Sequence, residues 1–280
     1  MAPDQRHVII TGCSSGFGAG IVRHARAAGW QVHGTVRDLA RPGEAASMGA
    51  TDIGQPELLA LDVTDPTSIS AAAATILQRC NGQLDAVVHN AGIADAGFFE
   101  DQSEAAMRRV FETNFFGVTA LTRAILPALR TRRRGRIVIM SSVSAFTANP
   151  AMGAYVASKR ALEGWAECLA LEVRPFALDV VLVEPGTYRT AIWDKATIAR
   201  PASSPYAPYL DRYEAKVRKM VDRSAGDPDE VARRVVELLD AKKLRLRHPV
   251  GTDAVLGRLI SGTIPFSWRA RAITRWAGLR

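Results

Sequence analysis

Residues 11–20 read Thr-Gly-Cys-Ser-Ser-Gly-Phe-Gly-Ala-Gly, TGCSSGFGAG, and they close the apolar run HVIITG at residues 7–12. Glycines let a backbone turn tightly and approach a ligand closely. A helix opening just beyond them presents unpaired N–H groups and a positive dipole end to a phosphate. Gly12, Gly16 and Gly18 are spaced G-xxx-G-x-G, not the commoner G-x-G-x-x-G. Coming after a strand and before an amphipathic helix, this turn is a candidate nucleotide site in an α/β sheet.

The rest of the chain repeats that unit. Strand-like runs follow at 30–37 (WQVHGTVR), 58–63 (LLALDV), 84–90 (LDAVVHN), 136–142 (RIVIMSS), 178–186 (LDVVLVEPG) and 244–250 (LRLRHPV). Most are apolar nearly throughout and rich in β-branched residues, as expected for strands covered on both faces. Helix-like segments lie between them at 16–28, 67–80, 103–130, 152–174 and 228–241. Asp65-Pro66 and Asp227-Pro228 read as helix starts, with Asp at the cap and Pro in the first turn. Such alternation predicts an α/β fold with one doubly wound, seven-stranded parallel sheet and helices on both faces. No repeat or linker divides residues 1–280, so a single domain is expected. In such sheets ligands bind at the carboxyl ends of the strands, near the switch in strand order.

Composition excludes several function classes. With 280 residues and 48% hydrophobic content, the chain can bury a sizeable core. Cys13, Cys80 and Cys168 lie far apart without a CxxC pair, which argues against a disulfide framework and against a metal site. The N-terminus carries no apolar signal core and no run approaches a membrane span, so a soluble protein of the reducing cytoplasm is expected. The net charge of +8 is concentrated in RTRRRGR at 130–136, in residues 242–247 and in the last twenty-odd residues. Runs of this kind suit nucleic acid or an anionic surface, but no nucleic-acid motif accompanies them. The solvated reading is preferred, and no nucleic-acid partner is expected.

At 153–165, GAYVASKRALEGW, Tyr155 precedes Lys159 by one helical turn in an Ala-rich segment. Residues four apart share a helix face, so phenol and ammonium can serve one space. A free phenol is a sluggish base at neutral pH. An ammonium about 4 Å away favours phenolate by about 4 kcal/mol at an effective dielectric near 20. Lys159 is therefore expected to make Tyr155 a usable acid and base. The plain alternative is that Tyr155 packs and Lys159 is solvated.

TGxxxGxG near the start, His89-Asn-Ala-Gly92 after the fourth strand and Tyr155-xxx-Lys159 together resemble the short-chain dehydrogenase/reductase family. Asn114 in NFFG, Ser142 in IVIMSSVSA, and Pro185-Gly186 with Thr190 fall where that family has its remaining motifs. The likeness covers roughly residues 5 to 250 and departs at His89, where many members have Asn. It implies a Rossmann-type domain and an oxidoreductase that interconverts an alcohol and a carbonyl. By resemblance the catalytic residues are Asn114, Ser142, Tyr155 and Lys159. Ser142 would orient the substrate oxygen toward Tyr155, with Ser141 and Ser144 as near rivals, and the family's Ser-to-Tyr spacing favours Ser142. Lys159 would also bond the nicotinamide ribose, and Asn114 would hold a water on the proton path. The plain readings are a strand-end cap for Ser142 and a carbonyl-bonded amide for Asn114. The implied cofactor contacts are Gly12, Ser14, Ser15, Gly16, Phe17, Gly18, Arg37, Asp62, Val63, Asn90, Ala91, Gly92, Tyr155, Lys159, Pro185, Gly186 and Thr190. A non-catalytic sensor on this fold is the alternative, though one expected to have lost part of the Ser/Tyr/Lys set.

Cofactor choice turns on the end of the second strand. An NAD-selective enzyme commonly places a carboxylate there, whereas this chain has Val36 followed by Arg37. A guanidinium suits a phosphate, so NADP(H) is expected over NAD(H). Asp38 is a complication if it pairs with Arg37. Residues 190–226 are expected to form a lid, with Trp193, Ile198, Tyr206, Tyr209 and Tyr213 interleaved with Pro201, Pro205 and Pro208. Such a lid suits a bulky apolar molecule. The resemblance narrows to the steroid and retinol dehydrogenase branch, which includes 17β-hydroxysteroid dehydrogenases. The segments 103–130 and 152–174 pair between subunits in that family, so a homodimer or homotetramer is expected. The basic, amphipathic tail at 251–280 is expected to cover the lid or a subunit edge rather than touch membrane.

Overall fold

The computed structural model of the protein describes residues 5–41, 43, 57–190, 192, 195–224 and 226–279; Trp193 lies outside them. Seven strands form one sheet: β1 (His7–Ile10), β2 (Gln31–Val36), β3 (Glu57–Ala60), β4 (Leu84–His89), β6 (Gly135–Met140), β7 (Leu178–Pro185) and β9 (Arg247–Val250). Their order is β3-β2-β1-β4-β6-β7-β9, and every neighbouring pair is parallel. The chain winds outward from β1 in one direction and then, from β4, in the other. The switch between β1 and β4 opens a crevice above the glycine turn.

Alternation along each strand sends side chains to two separate cores. Val8 and Ile10 pack with Val32, Ala86 and Val88 beneath α1 (Gly16–Ala27) and α7 (Pro228–Asp240). Ile9, Val87, Ile137 and Ile139 face the other way, toward α2 (Pro66–Arg79), α4 (Gly117–Arg132) and α5 (Gly153–Glu172). Each buried side chain of this size contributes roughly 1.5–3 kcal/mol. The expected helix starts are present: Asp65 accepts from Thr67 N at 2.9 Å, and Asp227 accepts from Asp229 N at 2.9 Å.

Several boundaries differ from expectation. The helix expected over 103–130 is α3 (Glu104–Phe111), a π turn (Glu112–Phe116) and then α4. The wider π turn carries Asn114 inward, where its amide bonds the backbone of Ile93. The sixth strand stops at Met140, so Ser141 and Ser142 lie in the turn beyond it. The segment expected to be irregular holds α6 (Ala207–Ser224), an 18-residue helix. Leu210, Tyr213 and Val217, spaced three and four apart, form its inner face. Its prolines lie ahead of it or in its first turn, where they do no harm. A short parallel pair, β5 (Asp95–Ala96) with β8 (Thr197–Ile198), ties the start of the lid to the body. The tail forms α8 (Thr252–Thr263) and α9 (Phe266–Ala277). On the helices of 103–130 and 152–174, most large apolar side chains face the sheet, while Phe116 and Leu171 stand exposed.

Candidate active site

The crevice is a cavity of 1120 Å³ above the strand ends, closed over by α6, α8 and α9. Its floor begins at the glycine turn. Gly12 has φ +70°, and a Cβ there would lie 2.8 Å from Ala91 Cα. A Cβ on Gly18 would stand 2.3 Å from the Gly12 carbonyl oxygen, so only glycine lets α1 start this close to the turn. Thr11 and Asn90 staple the two strand ends together. The Thr11 hydroxyl accepts from the backbone N–H groups of Asn90 and Ala91, each at 2.9 Å. The Asn90 amide donates to the carbonyls of Thr11 and Gly12 at 2.9 and 3.0 Å.

At one end of the floor Val36 and Arg37, from the tip of β2, line the cavity beside Asp62 and Val63. Asp38 does not oppose Arg37. It accepts from Ala40 N at 2.9 Å and lies 4.0 Å from Arg41. No carboxylate among the described residues makes an ion pair with Arg37. Burial pushes the Asp62 carboxyl up, but two Thr64 hydrogen bonds and the Arg37 charge outweigh it and hold the group below its ordinary range.

At the other end stand the residues of the Ser/Tyr/Lys pattern. Ser142 lies in the turn just past β6, and its hydroxyl accepts from Ser144 N at 3.1 Å, leaving its own proton to donate. Of its rivals, Ser141 donates its proton to Glu163 at 2.5 Å, whereas Ser144 accepts from Asn149 at 3.2 Å and, like Ser142, keeps its proton to donate. Tyr155 is buried against Ala94 and Met152. Burial pushes its phenol up, with a Ser142 hydrogen bond pulling the other way. Lys159 was expected to lower that phenol, yet its ammonium is drawn to the Met140 carbonyl at 2.7 Å, 5.7 Å from the centre of the Tyr155 ring. Burial brings Lys159 itself down to about 8, while the Glu163 charge raises it. Burial thus dominates both groups and keeps the phenol neutral.

The Asn114 amide donates to the Ile93 carbonyl and accepts from Ile93 N, both at 2.9 Å, and donates to Ser158 at 3.1 Å. His89 is a packed group, bonded to Thr122 at 2.8 Å and held uncharged by burial, which takes it down to about 3.

Of the expected cofactor contacts, Gly12, Ser14, Ser15, Gly16, Phe17, Arg37, Asp62, Val63, Asn90, Ala91, Gly92, Pro185, Gly186 and Thr190 line the cavity, as do Ser142 and Tyr155. Gly18, Asn114 and Lys159 lie behind its wall and support it. Two residues that the sequence reading passed over also matter. Lys195, in the lid, donates to the Ser15 hydroxyl at 3.0 Å, directly at the start of α1. Asp253, just past β9, accepts from Thr187 N at 2.7 Å and fixes the chain beyond Gly186. A lysine in a lid carries no sequence pattern, and the bond from Asp253 to Thr187 crosses between segments 66 residues apart. Leu210, Tyr213, Val217, Ile260, Ile273 and Trp276 give the roof its apolar surface, with the charged Glu214, Arg218, Asp222 and Arg269 also in its lining. The tail covers the lid as expected, with Trp276 edge-on to Tyr213 at 5.8 Å. Among the described residues no cluster of His, Cys, Asp and Glu is arranged to hold a metal ion, and no helix is long and apolar enough to cross a membrane.

The family described as short chain dehydrogenase matches residues 6–200. An uncharacterized oxidoreductase of Bacillus subtilis, YusZ, is 35% identical over 94% of this chain and 95% of its own length. The 3-ketodihydrosphingosine reductase of Bacteroides thetaiotaomicron is 33% identical over 87% of each chain. Retinol dehydrogenase 8 of Bos taurus is 34% identical over 90% of this chain and 83% of its own. Among solved structures, a short-chain dehydrogenase from Streptomyces avermitilis superposes with a TM-score of 0.81 at 36% identity, over 98% and 97% of the two chains. A metagenomic short-chain oxidoreductase in complex with NADP gives 0.69 at 25% identity, over 89% and 98%. One from Burkholderia phymatum in complex with NAD shares the fold, at 0.77 and 24% identity over 94% and 95%.

Proposed function

Because the chain belongs to the short-chain dehydrogenase/reductase family and is thereby an oxidoreductase of CH–OH groups with a nicotinamide cofactor, we propose that it interconverts an apolar carbonyl and its alcohol with NADP(H). The observation that carries this reading is the junction of two surfaces in one cavity: a hydrogen-bonded floor holding Ser142 and Tyr155, and an apolar roof over it. The floor fits a dinucleotide. Its glycine turn leaves backbone room at the start of α1, and the Arg37 guanidinium stands beside Val36 where an NAD-selective site would place a carboxylate.

A bound nicotinamide supplies or takes up the hydride. In the reductive direction Ser142 donates a hydrogen bond to the substrate oxygen and sets it toward Tyr155. Tyr155, kept neutral by burial, gives its proton to that oxygen as negative charge develops. The Lys159 ammonium, held on the Met140 carbonyl and 5.7 Å from the ring centre, favours the phenolate left after transfer only at that range, so burial outweighs it in the resting site. Asn114 holds the Ile93 backbone, and through it the wall beside Gly92, in place. In the oxidative direction the same groups act in reverse, and Tyr155 takes up the alcohol proton.

Relatives that carry the names retinol dehydrogenase and 3-ketodihydrosphingosine reductase support a long, apolar substrate. The test is a screen of purified protein, following NADPH absorbance, against retinoid, steroid, long-chain and quinone carbonyls beside small sugars and hydroxy acids. Turnover of the apolar set is expected; turnover of small polar compounds alone would contradict it. The reading includes a cytoplasmic location and a homodimer or homotetramer. Cell fractionation and light scattering at micromolar concentration test these, a monomeric mass counting against the second.

A further inference from the structure

Seven of the thirteen large apolar side chains that stand exposed among the described residues belong to the tail: Val255, Leu256, Leu259, Ile264, Phe266, Trp268 and Trp276. On α8, Val255, Leu256 and Leu259 share the face opposite the buried Ala254. The turn into α9 carries Ile264, Phe266 and Trp268 outward beside them. Leu259, Phe266 and Trp268 are 63%, 61% and 70% exposed, far more than packing against the body leaves to a side chain. The inner sides of the same helices line the cavity through Gly257, Ile260, Ala272 and Ile273. One hairpin thus has an apolar face on the outside and the substrate space on the inside.

We propose that this hairpin docks on the surface of an anionic lipid bilayer, and that apolar substrate passes from the bilayer into the cavity between α8 and α9. Its charge distinguishes this occupant from a second copy of the chain. Residues 252–279 hold four arginines against one acid, Asp253. Arg258 is paired with Glu184 of the body and Asp253 is spent on Thr187 and Ala254, which leaves Arg269, Arg271 and Arg275 without an acidic partner among the described residues. Across a two-fold interface the same basic patches would face each other and repel. Anionic headgroups instead complement them, and each arginine near the surface adds to the attraction. The Arg269 guanidinium lies over the Phe266 ring at 5.7 Å. An aromatic body with a cation at its rim suits the boundary between acyl chains and headgroups. This inference goes beyond the proposed reaction, and its test reads no turnover.

The full chain would be sedimented with vesicles of phosphatidylcholine alone and of phosphatidylcholine mixed with phosphatidylglycerol. Binding to the mixed vesicles is expected, weaker at high salt and at least about tenfold weaker on the neutral ones. Leu259→Glu with Trp268→Glu should lower affinity for the mixed vesicles by about tenfold or more. Arg271→Glu with Arg275→Glu, which leaves the apolar face whole, should lower it by about tenfold while sparing neutral vesicles. Protein that stays in the supernatant with both vesicle types, or variants that pellet like the parent, would overturn the proposal. So would a parent that binds no vesicle and whose mass, by light scattering, halves on Leu259→Glu with Trp268→Glu, because the patch would then join two copies of the chain.

Discussion

The floor and the roof of the cavity are built on different rules. On the floor nearly every polar group has a backbone partner: Thr11 and Asn90 on the glycine turn, Asn114 on Ile93, Lys159 on Met140. These bonds lie at strand ends inside a packed sheet, so the reacting groups are held by structure that cannot shift without breaking the core. The roof has few such bonds to the floor. It is held by rings and aliphatic chains packing on one another, as at Tyr213 and Trp276, with Lys195 crossing to Ser15. A fixed polar floor suits chemistry common to many substrates; a roof of adaptable apolar contacts suits the choice among them. Changes to the floor should therefore act on rate and cofactor, and changes to the roof on substrate affinity.

The sharpest way to break the floor is Tyr155→Phe, which removes the proton donor and almost none of the packing. General acid–base groups contribute about 10²–10⁴ in rate, and kcat is expected to fall by that factor with the thermal midpoint little changed. A variant that keeps more than half its turnover removes Tyr155 from the mechanism. Next in size is the cofactor end. Charge-assisted hydrogen bonds are worth about 1.5–3 kcal/mol, so Arg37→Ala should weaken NADPH about 10- to 150-fold and NADH hardly at all. Fluorescence titration of both cofactors decides this, and equal loss for the two would reject the phosphate role.

Lys195 tests the tie between the lid and the start of α1, which acts alongside the Arg258–Glu184 ion pair from α8 to β7. A cation at a helix N-terminus is unfavourable unless an anion shares the place, in an interaction of about 0.3–1 kcal/mol. Lys195→Ala is expected to weaken NADPH by about two- to fivefold. Tighter binding would show that the lysine opposes the cofactor.

The smallest effect is a displaced pH profile. The Lys159 ammonium, held down to about 8 by burial and raised by the Glu163 charge, is kept below that pH and lost as pH rises through it. Reductase kcat should fall above about pH 8. Glu163→Gln, whose carbonyl can still accept from Arg247 while its NH2 donates to the Ser141 hydroxyl, should move that fall to lower pH by about one unit or less. An unmoved profile would separate Glu163 from Lys159.

This contrast also explains what could be read from the sequence. The floor was legible because its chemistry needs particular residues at fixed spacing: glycines where a Cβ would strike Ala91 or the Gly12 carbonyl, a phenol one turn before an ammonium. The inner strands were legible because burial on both faces leaves little choice but apolar, mostly β-branched residues, whereas the edge strands β3 (ELLA) and β9 (RHPV) carry that pattern weakly. What spacing did not show was where Lys159 would point. A side chain with four rotatable bonds goes to the strongest acceptor nearby, here the Met140 carbonyl. Helix α6 was hidden by its prolines, although the positions of Leu210, Tyr213 and Val217 carried the helical period. The role of Asp253 needed the fold, because β7 and β9 become neighbours only in the sheet.

The most direct test of a polar floor beneath an apolar roof is kcat/KM for NADPH-dependent reduction of unbranched 2-alkanones of increasing length. Each added methylene buried by the roof is worth about 0.8 kcal/mol, so kcat/KM should rise about fourfold per carbon, through KM with kcat nearly constant, until the roof is filled. A kcat/KM that ignores chain length, or that favours short hydroxylated ketones, would contradict the account.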